Sequence, residues 1–431
     1  SSEYADMLND IEPKKIDPRF VDFKKDVKVE DIGDNTHFYY VKNPVNSIFS
    51  MNLQFGQGTI ENAALSQSAD FISLLGTKNK TFDQYKNELQ KIGSKIEVYA
   101  NGNYFGFSIS GFDKFFNETL DLLNEFMSNM HVRIEDNSKL EKLVESSKLT
   151  RDQEFKDPST AGRALRDYVM YGKKSPFLRR STLKEVQSMT SNFLIDQAKE
   201  AMQHEVDIFY TGTINEVAVI DQIKNRVSIS ENLKASKSPI TMDYKKHTRN
   251  KVFLIDDPKA VQSQIYIMGQ GKVLDMENRS TSDVFNKYFG SGMASIIFQE
   301  IREFRSLAYT AYGAYVNRPD MELPGYFIGY MGTQVDKSME AISTYMDLFK
   351  NMPIKENRIS TIKSGLTQSI NTRKPGWRSQ GAYVSRAIKQ GYDNDPNILD
   401  YNNYDNVNFD DIINFYKNNI TKDPIVITIL T

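Results

Sequence analysis

The sequence predicts an α+β protein built from two duplicated sandwich units, each a mostly antiparallel sheet with helices packed on one face. Three observations predict it. Two stretches of similar length repeat the same order of signals on either side of a polar segment. Strand-like runs of the first stretch alternate apolar with small or polar residues at period two, the pattern of a sheet with one buried face. Apolar stripes at helical spacing lie between those runs, so strands and helices come in mixed order.

Residues 1–27 are polar and read as an N-terminal extension. The first unit is expected over residues 28–224. It opens with HFYYVKNPVNSIFSMNLQFGQGT, which reads strand, proline turn, strand, then Gly-Gln-Gly. Within it Phe49, Met51, Leu53 and Phe55 alternate with Ser50, Asn52 and Gln54. A second strand, NYFGFSISG, leads to a helix whose Phe116, Leu120, Leu123, Met127 and Met130 recur at steps of four and three, an apolar stripe. That helix ends NMHV, and the unit closes on EVDIFYTGT. Residues 225–250 carry Lys, Ser and one Pro and are expected to form a linker. The second unit, residues 251–431, repeats the series as KVFLIDDPKAVQSQIYIMGQGK, GYFIGYMGT, NMPI and DPIVITIL. The period is far too long for a solenoid.

Composition removes several functions. With 39% hydrophobic and 26% charged residues, the 431-residue chain has the make-up of a soluble globular protein. Its 54 basic and 56 acidic side chains give a net charge of −2, so no global field points to nucleic acid or an anionic membrane. The absence of cysteine removes disulfides, thiolate nucleophiles and cysteine-zinc sites. No apolar run is long enough to predict a membrane span. The four histidines, His37, His131, His204 and His247, never fall within four residues of one another, so no helical two-histidine metal site is expected. Both Gly-Gln-Gly runs read as strand-end turns, because a phosphate loop needs more glycines and a lysine. The basic run YGKKSPFLRRSTLKE reads as a solvated loop, lacking the interleaved aromatics of a base-stacking surface. NRPDMELPGY reads as an extended hairpin loop near a chamber or a partner.

The candidate site lies in FGSGMASIIFQEIREFRSLAYTAY, where Arg302 at a helix end precedes Tyr309 at a strand start by seven residues. Singly, both are ordinary: arginine complements a helix C-terminus and tyrosine suits a strand. Held together on rigid elements, they gain a use. Arginine can donate two parallel hydrogen bonds to a peptide carbonyl, and tyrosine one to an oxyanion.

The order of these signals resembles the insulinase, pitrilysin and mitochondrial processing peptidase family of inverted-motif zinc peptidases, over nearly the whole chain after residue 27. The resemblance implies that the two units form half of a clamshell, two such halves enclosing a peptide chamber. It also implies that Arg302 and Tyr309 match the family's pair, which holds substrate and stabilises the tetrahedral intermediate from the half opposite the zinc. The catalytic half carries H-x-x-E-H on a helix. Here the matching segment is ALSQSADFISLLGTKNKTF. Aligned on Gly76 and Thr77, it places Gln67, Ser68, Ala69, Asp70 and Phe71 at the five positions. Gln is a poor zinc ligand, Phe cannot be one, and Asp70 without a metal has no nucleophile to make. Gln67 and Asp70 read as helix surface, with Phe71 and Ile72 in the core. The family's third ligand falls near LVESSKLTRDQE, with Glu145 closest.

The resemblance therefore implies no zinc and no other cofactor in this chain, and no hydrolysis by the chain alone. Zinc, water and general base are expected from a partner half, fused or separate. The other expected partner is an extended peptide or unfolded small protein, bound by strand addition. Neither nucleic acid nor a membrane span is expected. The start SSEYADMLND, without an initiator Met, and the polar lead-in IEPKKIDPRFVDFKK favour a separated C-terminal half over a stand-alone subunit. A periplasmic or envelope location is implied by family habit alone. Two alternatives stand beside this reading: a non-enzymatic structural or peptide-holding subunit of the same fold, and an autonomous metallopeptidase.

Overall fold

A computed structural model of the protein describes residues 17–420 and 424–431; residues 1–16 of the expected N-terminal extension lie outside the described residues. The first half contributes β1 (Lys28–Gly33), β2 (Thr36–Lys42), β3 (Ile48–Phe55), the short β4 (Gly76–Thr77), β5 (Lys95–Ala100), β6 (Phe105–Phe112), the short β7 (Met130–His131) and β8 (Val206–Gly212). Strands β4 and β7 pair as a small ribbon, and the other six form one sheet in the order β1-β2-β8-β3-β6-β5. The second half contributes β9 (Lys251–Ile255), β10 (Gln262–Gln270), β11 (Thr310–Val316), β12 (Tyr326–Gln334) and β13 (Ile425–Leu430), in the order β11-β12-β10-β13-β9.

The two orders are the same topology. Read from the other edge, β9-β13-β10-β12-β11 matches β2-β8-β3-β6-β5 strand for strand. Each sheet has one parallel contact in the same place, β2 with β8 and β13 with β9, and is otherwise antiparallel. The predicted fold class, two α+β units with mostly antiparallel sheets, is thus the observed one. The Gly-Gln-Gly runs differ slightly from expectation: Gly269 and Gln270 still belong to β10, which runs into the turn.

The period-two pattern explains the first core. Phe49, Met51, Leu53 and Phe55 of β3 are fully buried beside Phe105, Phe107 and Ile109 of β6. Helix Phe116–Asn129 lays Phe116, Leu120, Leu123 and Met127 onto that face. Each such side chain contributes about 1.5–3 kcal/mol relative to exposure. The second half repeats the arrangement, with Phe285, Phe289 and Tyr345 packed over β10, β11 and β12.

The opposite face of each sheet is covered by exchange. Helix Pro158–Tyr171, from the first half, sets Val169 and Met170 against Tyr266, Met268 and Val426 of the second sheet. Helix Trp377–Lys389, from the second half, sets Trp377, Tyr383 and Val384 against Tyr39, Val41 and Phe209 of the first. A Cβ added at Gly162 would stand 2.9 Å from the Gln264 side chain, so the glycine permits this close helix-on-sheet contact. Asp207 of β8, only 2% exposed, receives an ion pair from Lys389 and a hydrogen bond of 3.2 Å from Ser385 Oγ.

The polar segment 225–250 is pinned along the first half rather than hanging free. Ser236 Oγ donates to the Gly56 carbonyl at 2.7 Å, and Ser238 Oγ to the Asn103 carbonyl at 2.7 Å. From the second half, the loop between β11 and β12 grips it: Arg318 stacks 4.1 Å from the Tyr244 ring centre and donates to the Met242 carbonyl.

A buried polar cluster joins helix Met276–Phe289 to helix Pro396–Tyr404. Tyr404 Oη donates to Asp283 at 2.6 Å, and Ser280 Oγ donates to Asp400 at 2.9 Å. Arg373 lies 3.4 Å from Asp400. Burial, and then the neighbouring Asp283, push the Asp400 carboxyl up to about 6. A carboxyl raised from 3.8 binds its proton more tightly in the folded state, so its contribution is fully present below about pH 4 and is lost as pH rises through about 6. We expect Asp400→Asn to melt higher than the unmodified protein at neutral pH, the gap closing toward pH 4. Parallel melting curves across that window would show that Asp400 does not carry the dependence.

Candidate functional site

The segment with Arg302 and Tyr309 is anchored by its apolar residues. Phe289, Ile296, Ile297 and Ile301 are fully buried, which turns the intervening polar side chains outward. A Cβ at Gly290 would meet the backbone oxygen of Gly313 at 2.1 Å, so the chain can pass against β11 here only as glycine. Gly290→Ala is expected to cost roughly 1–3 kcal/mol by forcing this crossing apart, measurable by denaturant unfolding.

Arg302 lies in a π-helical turn, Phe298–Glu303, rather than at the end of an ordinary α-helix. The turn stops with Ser306 in the left-handed region, at φ +50. Leu307 N–H donates to the Ile301 carbonyl and Ser306 N–H to the Arg302 carbonyl, a Schellman-like stop widened by one residue. The chain then enters the sheet: Tyr309 N–H donates to the Gly332 carbonyl at 3.0 Å, one residue before β11 begins.

These elements bring the two side chains together. The Arg302 guanidinium sits 5.6 Å from the Tyr309 ring centre and 4.8 Å from that of Phe298, two cation–π contacts. Its Nε lies 3.5 Å from Glu303. Glu300 is engaged elsewhere, by Arg305 at 3.8 Å and Lys355 at 3.5 Å. Tyr309 is 79% exposed. The terminal nitrogens of Arg302 and the hydroxyl of Tyr309 have no hydrogen-bond partner among the described residues. The pair is therefore an aligned set of free donors on the surface.

The degenerate motif positions lie apart from that pair, on helix Leu65–Ile72. Phe71 is fully buried in the first core, as expected. Asp70 keeps an exposed edge, while desolvation by the wall around it raises its carboxyl above the ordinary value. Gln67, expected on the helix surface, is half-buried instead, and its Oε1 is buried without a hydrogen-bond partner among the described residues. These side chains do not suit zinc: Gln67 is a weak donor and Phe71 offers no ligand atom. Glu145 is exposed and does not line the cleft beside them, whose wall from helix Asn137–Lys156 is Leu143, Ser146, Ser147, Thr150 and Arg151. Among the described residues no group of three or more His, Asp or Glu side chains is placed to hold a metal ion.

Sequence reasoning missed the far wall of this cleft. The basic run expected as a solvated loop forms two short helices, Pro176–Arg179 and Leu183–Ser188. It turns Arg179 and Arg180 toward Gln67 and Asp70. The capping signal Thr182-x-x-Glu185, which the structure forms in full, marked the second of these helices.

Residues 203–366 match the family model of the peptidase M16 inactive domain. An uncharacterised zinc protease of Streptomyces coelicolor is 22% identical over 342 residues, spanning 76% of this chain and 72% of that protein. The fold is similar to the crystal structure of a peptidase M16 inactive domain from Pseudomonas fluorescens, with a TM-score of 0.71 at 15% identity, covering 94% of this chain and 98% of that one. It is also similar to the periplasmic protease PqqL of Escherichia coli, with a TM-score of 0.70 at 12% identity. That match covers 98% of this chain but 47% of PqqL, so the present fold corresponds to about half of it. No helix among the described residues is long and apolar enough to cross a membrane.

Proposed function

Since residues 203–366 match the inactive domain of the M16 peptidase family, of the insulinase and pitrilysin type, we propose that the chain completes the active site of a zinc-bearing partner half. In this reading Arg302 and Tyr309 act across the chamber on a bound peptide, and zinc held by the partner half would supply the polarisation of its scissile carbonyl. Arg302 donates to a substrate carbonyl, and Tyr309 donates to the oxyanion as it forms. The observation that carries the reading is the pair itself: a guanidinium stacked 5.6 Å from an exposed tyrosine ring, with its terminal nitrogens and the tyrosine hydroxyl free among the described residues.

The sheet edges suit an extended peptide. The outer edge of β11 is partly closed, since Gly313 N–H donates to Gly290 and Tyr315 N–H to Asn286. The outer edge of β5 carries no such bond among the described residues, so strand addition is open there.

The test is to purify the intact gene product under native conditions, measure its zinc and challenge it with a peptide library. Zinc with a co-purifying or fused H-x-x-E-H half, and cleavage that depends on both, is the expected result. Stoichiometric zinc and chelator-sensitive cleavage with this chain alone would overturn it. A partner without zinc, and no cleavage, would favour a structural or peptide-holding subunit.

A further inference from the structure

The cleft beside helix Leu65–Ile72 has a chemistry of its own. It encloses about 380 Å³ and is lined by Ser66, Gln67, Asp70, Thr150, Arg151 and Arg179, among others. Beyond Arg179 and Arg180 it meets a second cavity of about 510 Å³, with Ala63, Ala64, Met189 and Phe193 in its wall. The two arginines thus stand on a ridge between a polar space and a more apolar one.

The guanidinium groups are not equally satisfied. Arg180 pairs with Glu154 at 2.7 Å, and Arg151 donates to the Ser181 carbonyl. The Arg179 guanidinium makes no ion pair and no hydrogen bond among the described residues. Burial, followed by the charge of Arg180, disfavours the charged form of Arg151, and burial disfavours that of Arg179. The acidic groups nearby are Asp70 in the polar cavity and Glu185 in the other, and Glu185 is held by its own helix cap at Thr182. Partly desolvated like charges with one free guanidinium make an anion site without an anion.

We propose that this cleft binds the C-terminal carboxylate of a peptide, with Arg179 as the principal contact and the last side chain in the cavity formed by Met189 and Phe193. Two features favour a peptide end over a free anion. Ala100, the last residue of the open edge strand β5, lines the same cleft, so a chain added to that edge runs into it. The apolar cavity across the ridge would stay empty around an inorganic ion. The inference rests on the peptide-holding part of the proposed function and is independent of Arg302 and Tyr309. A binding measurement without catalysis therefore separates its failure from theirs.

The experiment is fluorescence anisotropy with the full chain and three probes: an N-terminally labelled short peptide ending in leucine, the same peptide as its C-terminal amide, and inorganic phosphate as competitor. The acid is expected to bind about tenfold or more tightly than the amide, the scale of one charge-assisted hydrogen bond. Arg179→Ala should erase that difference without moving the melting temperature, and Arg179→Lys should restore part of it. Equal binding of acid and amide, or no binding of either, overturns the proposal whatever the variants do. Phosphate competing as strongly as the peptide acid also overturns it, and reassigns the cleft to a free anion.

Discussion

Arg302→Ala, made in the complete two-half enzyme, is expected to lower kcat by roughly 10²–10³-fold with zinc content unchanged. That is the scale of removing one donor aimed at a developing oxyanion. Arg302 already stacks on Phe298 and Tyr309, so its alignment is set before substrate arrives and little rotamer entropy remains to be lost. Tyr309→Phe is the sharper variant. It removes the hydroxyl and keeps the ring under the guanidinium, so any loss reports hydrogen-bond donation rather than packing. An effect on KM alone would make the pair a substrate grip with no share in the transition state. Unchanged kinetics in both variants would remove the pair from the mechanism.

The second large effect is structural. Lys389→Met leaves the Asp207 carboxylate, 2% exposed, with Ser385 as its remaining partner among the described residues. Removing one member of a buried pair costs about 3–5 kcal/mol, because the remaining charge stays desolvated. Here the pair joins a helix of the second half to the sheet of the first, so the loss should loosen the docking of the two halves. The double variant Asp207→Asn with Lys389→Met should recover much of that cost. Equal destabilisation by the single and double variants, in denaturant unfolding, would show that the ion pair is not the source.

Much of this fold was legible in the sequence, for a physical reason. A half-buried strand must alternate, and β3 does so, whereas its counterpart β10 is buried on both faces because helix Pro158–Tyr171 covers the second one. The burial of Phe71 followed from the same helical pattern. The exchange of helices was not legible. Helices Pro158–Tyr171 and Trp377–Lys389 are visibly amphipathic, but amphipathicity does not say which sheet receives the apolar face. The π-helical turn was hidden too, because Ile297 and Ile301 are spaced suitably for an α-helix.

The candidate site was legible in part. Arg302 and Tyr309 were recognisable from their spacing, and the structure adds that they stack. Gln67 looked like helix surface because its exposure depends on a wall distant in sequence. That wall comes from the basic run, whose charges looked solvated until short helices turned Arg179 and Arg180 inward.

Arg302 and Tyr309 are proposed to serve a zinc site carried by a partner half. The most direct measurement is peptide hydrolysis by this chain, by a zinc-bearing half carrying H-x-x-E-H, and by an equimolar mixture of the two, with zinc determined in each. Zinc is expected only with the partner, and hydrolysis is expected to appear in the mixture and to fall when Arg302 or Tyr309 is replaced. Full hydrolysis by the zinc-bearing half alone, unchanged on adding this chain, would contradict it.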